Sequence, residues 1–446
     1  MNESVVESRV DARVVPAAAD RIRVTVTGRD RPGITAAIAA AVARCSCEIL
    51  SVRQVCVRRR LTLMFELLVE NAPPQQSIFR DLLLVSKQIG VSVDFSLLPG
   101  VVSRAPSEHA RPVSEQYVIT AIAADSITPA FLVDLGYKLQ ERQFVLESVN
   151  KLSQHRLGCI ELVVSSPASS SVSDIQQFRS EMFVIGRNYA TDVAVQKENL
   201  TRKSKRLVVM DMDSTLIQQE VIDELARYAG KFEAVQEITH RAMAGELDFK
   251  SSLHKRVECL KGTPASVIQQ VIDHLVYTPG AYHLVHTLKR LGYKLAVISG
   301  GFTPIAQHVR QTLGLDYAYA NQLEIGPDGC FTGRTIGPIV DAQRKADLLM
   351  AIAQQEQVEL EQTICIGDGA NDLPMLSIAG LGIAFNAKPA VQERAAFRLN
   401  RQGLDSVLYF LGIPEAEQIQ LRGNDVATQA RQKPVAKNSK RAFDQS

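Results

Sequence analysis

The sequence predicts an α/β protein in which a doubly wound parallel sheet with a helical cap follows two smaller βαββαβ units. Three observations predict it. From residue 207 onward, short apolar runs of strand length alternate with segments of helical period, the pattern of a parallel sheet covered on both faces. A block of helical period, residues 218–277, interrupts that alternation between the first and second strands and is too long for a simple crossover. Ahead of both, the order strand–helix–strand–strand–helix–strand occurs twice.

The first βαββαβ unit spans residues 20–98. Ile22-Arg23-Val24-Thr25-Val26 alternates as a half-buried strand does. Arg31-Pro32-Gly33 turns the chain into an Ala-rich helix over residues 34–44. Residues 49–57 and 61–69 form a strand pair, 77–89 a second helix, and 91–97 a last strand, giving a ferredoxin-like split motif. Residues 101–112, rich in Pro, Ser and Arg, read as a linker. The second unit, residues 115–197, repeats the order: strands at 117–123, 145–152, 159–165 and 192–196, with helices at 128–141, opened by Pro129, and 173–189.

A charged stretch, residues 197–206, leads into the third region, residues 205–422. Its strands are expected at 207–210, 294–299, 363–367 and 382–385, forming a Rossmann-like doubly wound parallel sheet. Residues 323–339, with Pro327-Asp328-Gly329, read as a hairpin. Residues 423–446 are polar, basic and without periodicity, and are expected to be a disordered tail.

Composition sets outer limits. A length of 446 residues suggests roughly two to four domains. With 46% hydrophobic and 22% charged residues the chain has ordinary globular composition, and its formal charge of +2 gives no reason to expect nucleic acid or an acidic membrane as partner. No run approaches the roughly 18 apolar residues of a membrane span. Residues 1–14 mix Glu, Asp and Arg and lack the apolar centre of a secretory signal. The seven cysteines lie mostly in apolar segments and show no zinc-site spacing. Buried free thiols and a cytoplasmic location are therefore expected. The basic residues of the tail, Arg431, Lys433, Lys437, Lys440 and Arg441, are most simply a solvated end.

Ligands of such a sheet bind outside the carboxyl ends of its strands. The first strand ends in Asp211-Met212-Asp213-Ser214-Thr215. Alone, that pair of carboxylates equally fits an acidic loop or a helix cap. The second strand ends in Ser299-Gly300-Gly301, and the third in Gly367-Asp368-Gly369-Ala370-Asn371-Asp372. Lys345 lies on the intervening helix. Together these groups suit phosphoryl transfer. A carboxylate can attack phosphorus, oxygen ligands suit Mg²⁺, and a hydroxyl and close-approaching glycine backbone can hold phosphate oxygens. A lysine supplies a point charge to the transferring group.

These motifs resemble those of the haloacid dehalogenase superfamily, and more narrowly its phosphoserine phosphatases, over residues 206 to about 411. The family commonly has Phe where this chain has Met212. The resemblance implies hydrolysis of O-phospho-L-serine, the last step of L-serine biosynthesis. It implies Asp211 as nucleophile and Asp213 as general acid and then base. Mg²⁺ would be held by Asp211, the Asp213 backbone carbonyl and Asp368, with Asp372 acting through water. Ser299, Gly300, Lys345 and Asn371 would hold the phosphate. In the cap, Glu220 would pair with the substrate ammonium and Arg256 would grip its carboxylate bidentately. Met243 and Phe249 fall where the family covers the substrate, though both also suit a core.

The two N-terminal units resemble ACT domains, modules that bind amino acids and regulate enzymes of amino-acid metabolism. Gly28-Arg29-Asp30-Arg31-Pro32-Gly33-Ile34 fits their ligand loop, which makes Asp30 and Gly33 the candidate regulatory contacts. The corresponding Asp125-Ser126-Ile127-Thr128-Pro129-Ala130 lacks the glycine. The resemblance implies L-serine as effector and a homodimer joined through these units. The alternatives are units that only dimerise or support the catalytic region, a superfamily phosphatase for another small phosphate or for phosphoproteins, and an amino-acid sensor with an inactive phosphatase half.

Overall fold

Alternating burial builds the first unit. The computed structural model describes residues 19–44, 47–57, 59–70, 75–98, 115–167, 170–243, 246–400 and 403–422, and the expected linker and tail lie outside them. The chain divides into two compact units between residues 110 and 111. In the first, β1 (Ala19–Arg29), α1 (Ile34–Ala43), β2 (Cys47–Val57), β3 (Arg60–Glu70), α2 (Gln75–Ile89) and β4 (Ser92–Leu98) form an antiparallel sheet ordered β2-β3-β1-β4. Ile22, Val24 and Val26 of β1 and Leu61, Leu63, Phe65 and Leu67 of β3 pack under Ile34, Ile38, Ile78 and Leu82 of the helices. The other face keeps Arg21 and Arg23, both paired with Glu66 of β3.

The second unit opens with the same topology. β5 (Gln116–Ala123), α3 (Pro129–Glu141), β6 (Val145–Lys151), β7 (Cys159–Ser165), α4 (Val172–Asn188) and β8 (Thr191–Lys197) give a sheet ordered β6-β7-β5-β8. Here, however, both faces of the sheet are covered. Tyr117, Ile119 and Ala121 of β5 face Phe131 and Phe178 of the module's own helices. Ile122, Cys159 and Ala194 belong instead to the core of the domain that follows. A short helix, α5 (Leu200–Lys203), makes the connection, and its buried Arg202 pairs with Glu161 of β7 and with Glu198.

The large sheet is ordered β12-β11-β10-β9-β13-β14-β15, with only the β11–β12 pair antiparallel. Its central strand β9 (Leu207–Met210) is buried throughout. Val208 and Met210 point into one core and Leu207 and Val209 into another, which is why the run shows no alternation in its polarity. Four cap helices follow: α6 (Val221–Tyr228), α7 (Phe232–Met243), α8 (Phe249–Glu258) and α9 (Val267–Asp273). Then come α10 (Ala281–Arg290), β10 (Lys294–Phe302), α11 (Thr303–Leu313), β11 (Tyr317–Ile325), β12 (Phe331–Ile336), α12 (Ala342–Gln355), β13 (Thr363–Gly367), α13 (Leu373–Ile378), β14 (Leu381–Phe385), α14 (Pro389–Arg394), β15 (Phe397–Leu399), α15 (Val407–Phe410) and α16 (Glu415–Arg422).

A short antiparallel stem anchors the cap: Gln218 N–H donates to Val276 and Thr278 N–H to Leu216, each at 2.9 Å. The far side of the cap rests on β12, where Gly262 N–H bonds the Phe331 carbonyl and Phe331 N–H the Thr263 carbonyl, each at 2.9 Å.

The structure departs from the sequence expectations in three places. β11 begins at Tyr317 and joins the large sheet in parallel with β10 before turning into the hairpin. The three-residue β15 was not expected at all. Of the described cysteines, all free, only Cys159 and Cys365 are buried; Cys47, Cys259 and Cys330 are partly exposed, and Cys56 is exposed on the edge strand β2. Among the described residues no helix is long and apolar enough to cross a membrane.

Candidate active site

The carboxyl ends of β9, β10 and β13 meet beneath the cap. Asp211 follows β9 directly. It is 5% exposed, and its backbone N–H bonds the Ile366 carbonyl of β13 at 2.9 Å, so its position is set by the sheet. Its Oδ1 accepts from Met212 N–H at 2.7 Å, and its Oδ2 lies 2.8 Å from Lys345 Nζ. Lys345 comes from the first turns of α12, which Asp341 caps by accepting from Arg344 N–H at 2.8 Å. Fully buried, Lys345 also donates to Asp372 Oδ1 at 2.7 Å. Burial opposes its charge, but Asp211 and Asp372 outweigh that and hold the amine above its ordinary value.

The chain after Asp211 leaves the strand in one wide turn in which Ser214 takes φ 55°. That turn brings Asp213 back over the strand end. Asp213 Oδ1 is buried with no hydrogen-bond partner among the described residues. Burial, then Glu220 and Asp211, push its carboxyl well up. A carboxyl raised by burial beside a second carboxylate has the character that a general acid requires.

Asp211, Asp368 and Asp372 each offer an oxygen within 4.8 Å of the others. Burial and the neighbouring Asp372 raise Asp368 to about 7, against the hydrogen bond from Thr215 Oγ1 at 3.0 Å. The same two causes, burial first, raise Asp211, and Lys345 opposes them. A crowded all-oxygen cluster with a single lysine as counter-charge fits a hard divalent cation. Gly367 is required at the end of β13, since a Cβ there would lie 2.4 Å from the Asp372 carboxyl carbon.

At the end of β10, Gly301 N–H donates to Ser299 Oγ at 2.8 Å, closing the turn next to Met212 and Asp213. Asn371 occupies the short turn after β13, half-buried beside Asp372. The cap contributes Phe249, whose ring tip lies 3.1 Å from where a Cβ on Gly300 would stand. Lys250 of the same helix reaches Asp341 Oδ2 at 3.0 Å, so α8 is closed onto both the turn and α12. Arg256, one turn and a half further along α8, is largely buried. Its guanidinium feels burial first, then Glu220, Asp223 and Asp213, with no carboxylate within ion-pair distance among the described residues. Glu220 stays exposed at the cap entrance, its Oε1 accepting from Ser214 Oγ at 2.7 Å. Met243 ends α7, and its side chain lies outside the described residues.

The candidate residues from β9, β10, β13, α8 and α12 are thus gathered in one place. Ser214 and Thr215, which orient Glu220 and Asp368, carried no assigned role in the sequence reading, although both stand inside the first motif. The candidate regulatory residues lie elsewhere, in the first unit. Asp30 is exposed, with its N–H bonded to the Arg59 carbonyl at 2.7 Å, and Gly33 takes φ 93° at the start of α1 with open space around it. At the matching point of the second module, Thr128 caps α3 through its side chain and Ile127 is buried, so backbone is less available there.

Comparison with known proteins agrees with both halves. Residues 208–377 match the haloacid dehalogenase-like hydrolase family, and residues 20–96 match the ACT domain family. A phosphoserine phosphatase of Streptomyces coelicolor is 39% identical over 396 residues, covering 88% of this chain and 92% of that protein. One from Mycobacterium tuberculosis is also 39% identical, covering 89% of this chain and 94% of its own. A probable phosphoserine phosphatase from Vibrio cholerae, solved unliganded, superposes with a TM-score of 0.52 at 36% identity, over 70% of this chain and 91% of that one.

Proposed function

The chain belongs to the phosphoserine phosphatase family of haloacid dehalogenase-like hydrolases, and from that premise we propose that it hydrolyses O-phospho-L-serine to L-serine and phosphate through an aspartyl-phosphate on Asp211. One observation carries the reading. The buried carboxylate of Asp211 lies against Lys345 while, two residues on, Asp213 keeps a buried oxygen with no hydrogen-bond partner among the described residues.

Asp211 attacks phosphorus, and the bond from phosphorus to the seryl oxygen breaks. Asp213 gives its proton to that oxygen, and serine leaves. The Asp213 carboxylate then takes a proton from water as the water oxygen bonds phosphorus, and Asp211 departs as a carboxylate. Lys345 and the turn from Ser299 to Gly301 hold the phosphoryl oxygens through both steps, together with Asn371. Stabilising that charge is most of what such a transfer needs. In our reading the resident cation is Mg²⁺, held by Asp211, the Asp213 backbone carbonyl and Asp368, with Asp372 acting through water. It would neutralise charge on the transferring group.

Specificity for an amino-acid phosphate comes from Glu220 toward the ammonium and Arg256 toward the carboxylate, with Phe249 closing the apolar side. The largely buried Arg256 guanidinium, without an ion pair among the described residues, is suited to a carboxylate that arrives with the substrate. L-serine is the proposed effector of the first ACT-type unit, through the loop holding Asp30 and Gly33. A homodimer is the proposed assembly.

The test is phosphate release from O-phospho-L-serine against O-phospho-L-threonine and sugar phosphates, with Mg²⁺ and with chelator, for the wild type and Asp211→Asn. Preference for phosphoserine that vanishes with chelator and in the variant is expected. Equal release from all substrates would sink the specificity, and full activity in Asp211→Asn would sink the mechanism.

A further inference from the structure

Asn321 lies on β11, outside the motifs at the ends of β9, β10 and β13. Its side chain is 1% exposed, and both ends of its amide are used. Nδ2 donates to the Gly300 carbonyl at 2.7 Å. Oδ1 accepts from Val340 N–H at 2.8 Å. A carbonyl can only accept and a backbone N–H can only donate, so these partners fix which way the amide faces. The backbone is held as well, because Thr303 Oγ1 at the start of α11 donates to the Asn321 carbonyl at 3.0 Å.

The two partners of the amide belong to different parts of the phosphate site. Gly300 is the middle of the Ser299–Gly301 turn. The peptide joining Gly300 to Gly301 is fixed at both ends, its carbonyl by Asn321 and its N–H by Ser299 Oγ. Having accepted that N–H, the Ser299 hydroxyl keeps its one proton for a phosphate oxygen. Val340 stands immediately before Asp341, the cap of the helix that carries Lys345. One buried amide therefore ties the element bearing the hydroxyl to the element bearing the ammonium.

We propose that Asn321 is a positioning residue for phosphoryl transfer, holding the Ser299–Gly301 turn in register with α12 so that Ser299 and Lys345 meet the same phosphoryl group. The inference rests on the phosphatase reading and adds to it a residue that never touches substrate. A buried amide tying two segments costs free energy when either bond is lost. Misplacing a catalytic group by even about 1 Å can cost roughly 100-fold in rate.

Two substitutions separate the roles. Asn321→Ala removes both bonds. Asn321→Asp keeps the shape and the bond from Val340 N–H but sets a carboxylate oxygen against the Gly300 carbonyl, which must turn away. The full-length enzyme with Mg²⁺ is assayed, below each variant's melting temperature, on O-phospho-L-serine and on p-nitrophenyl phosphate, with orthovanadate as inhibitor. A fall in kcat of roughly 10- to 100-fold on both substrates is expected, as for other supporting residues behind an active site. KM for O-phospho-L-serine should stay within about threefold, and orthovanadate inhibition should weaken, because the phosphoryl end and not the serine end is disturbed.

A folded variant with kcat within about threefold of wild type overturns the proposal. So does a loss confined to KM for O-phospho-L-serine with p-nitrophenyl phosphate unaffected, which would place the effect in the cap. Where Asn321→Ala does not fold, the isosteric Asn321→Asp decides. A wild type that turns over p-nitrophenyl phosphate but not O-phospho-L-serine would refute the substrate assignment alone, and the Asn321 comparison would still be read on the aryl phosphate.

Discussion

Asp368 is the residue whose titration can be followed most directly. Burial and Asp372 raise it to about 7 in the metal-free protein. A carboxyl raised in the folded state holds its proton more tightly there than in the unfolded chain. Its contribution to stability is therefore present below the ordinary carboxylate range and is lost as pH rises through that range to about 7. A cation needs the carboxylate, so binding should release a proton and weaken as pH falls below about 7, approaching tenfold per unit. Calorimetric titration of Mg²⁺ in two buffers of different ionisation enthalpy, near pH 6, reads the proton directly, and no release would contradict the assignment of Asp368 as a ligand. For specificity, Arg256→Ala removes a charge-assisted contact worth ~1.5–3 kcal/mol, roughly 10- to 150-fold in kcat/KM for O-phospho-L-serine. Turnover of p-nitrophenyl phosphate should be nearly unchanged, and an equal loss on both substrates would place Arg256 in the phosphate site instead. Asp211, Ser299 and Asp368 were legible because each stands where a strand ends in a polar break, whereas Lys345, Glu220 and Arg256 lie on helices and at helix ends, where only the family resemblance marks them. Ser214, Thr215 and Asn321 act through a second residue, and that kind of partnership leaves no spacing in the sequence.

At the scale of elements, the turn after β10 limits what the site tolerates. A Cβ on Gly301 would stand 3.0 Å from Asp213 Oδ2, from Met212 Cε and from Ser299 Oγ. All three belong to strand ends at the candidate site, so Gly301→Ala has to displace the proposed general acid Asp213, the proposed phosphate ligand Ser299 or both. Overpacking of this kind costs ~1–3 kcal/mol. Gly301→Ala should thus melt only a few degrees below wild type and yet lose kcat by roughly tenfold or more, since displaced groups act in the transition state. Unchanged kcat in that variant would mean the turn is looser than its contacts indicate. Strand legibility follows the same packing logic. β9 was read without error because all its residues are buried and apolar, whereas β11, Tyr-Ala-Tyr-Ala-Asn-Gln, is only half-buried through its first residues and shows neither an apolar run nor a clean alternation. β15 has three residues, fewer than any periodic pattern needs.

The whole molecule turns on a difference between its two ACT-type modules that their shared topology conceals. β1 reads Arg-Ile-Arg-Val-Thr-Val-Thr, and its polar face carries Arg21 and Arg23 against Glu66. β5 reads Tyr-Val-Ile-Thr-Ala-Ile-Ala, with all but its first residue, Gln116, buried. A strand with no polar face needs cover on both sides. The catalytic domain provides it: Ile122, Cys159 and Ala194 share a core with Leu404, Leu408 and Phe410. Polar contacts line the same seam, with Gln196 Nε2 donating to the Phe410 carbonyl at 2.9 Å and Asn400 N–H to Asp192 Oδ2 at 2.9 Å. Deleting residues 1–110 should therefore leave the melting temperature within a few degrees and kcat intact. Deleting residues 1–196 should strip that core, remove the Glu161 partner of buried Arg202, and yield an aggregating protein or one melting more than about 10 °C lower, given that each ~1 kcal/mol lost shifts a domain of this size by roughly 2–4 °C. If L-serine acts through Asp30 and Gly33, its effect on rate should disappear in the shorter deletion while catalysis persists. The longer deletion cannot separate those two losses, because it removes a regulator and part of the catalytic core at once. A chain lacking residues 1–196 that melts with the full-length protein would show that the second module is a passenger and that the apolar reading of β5 has been given the wrong cause.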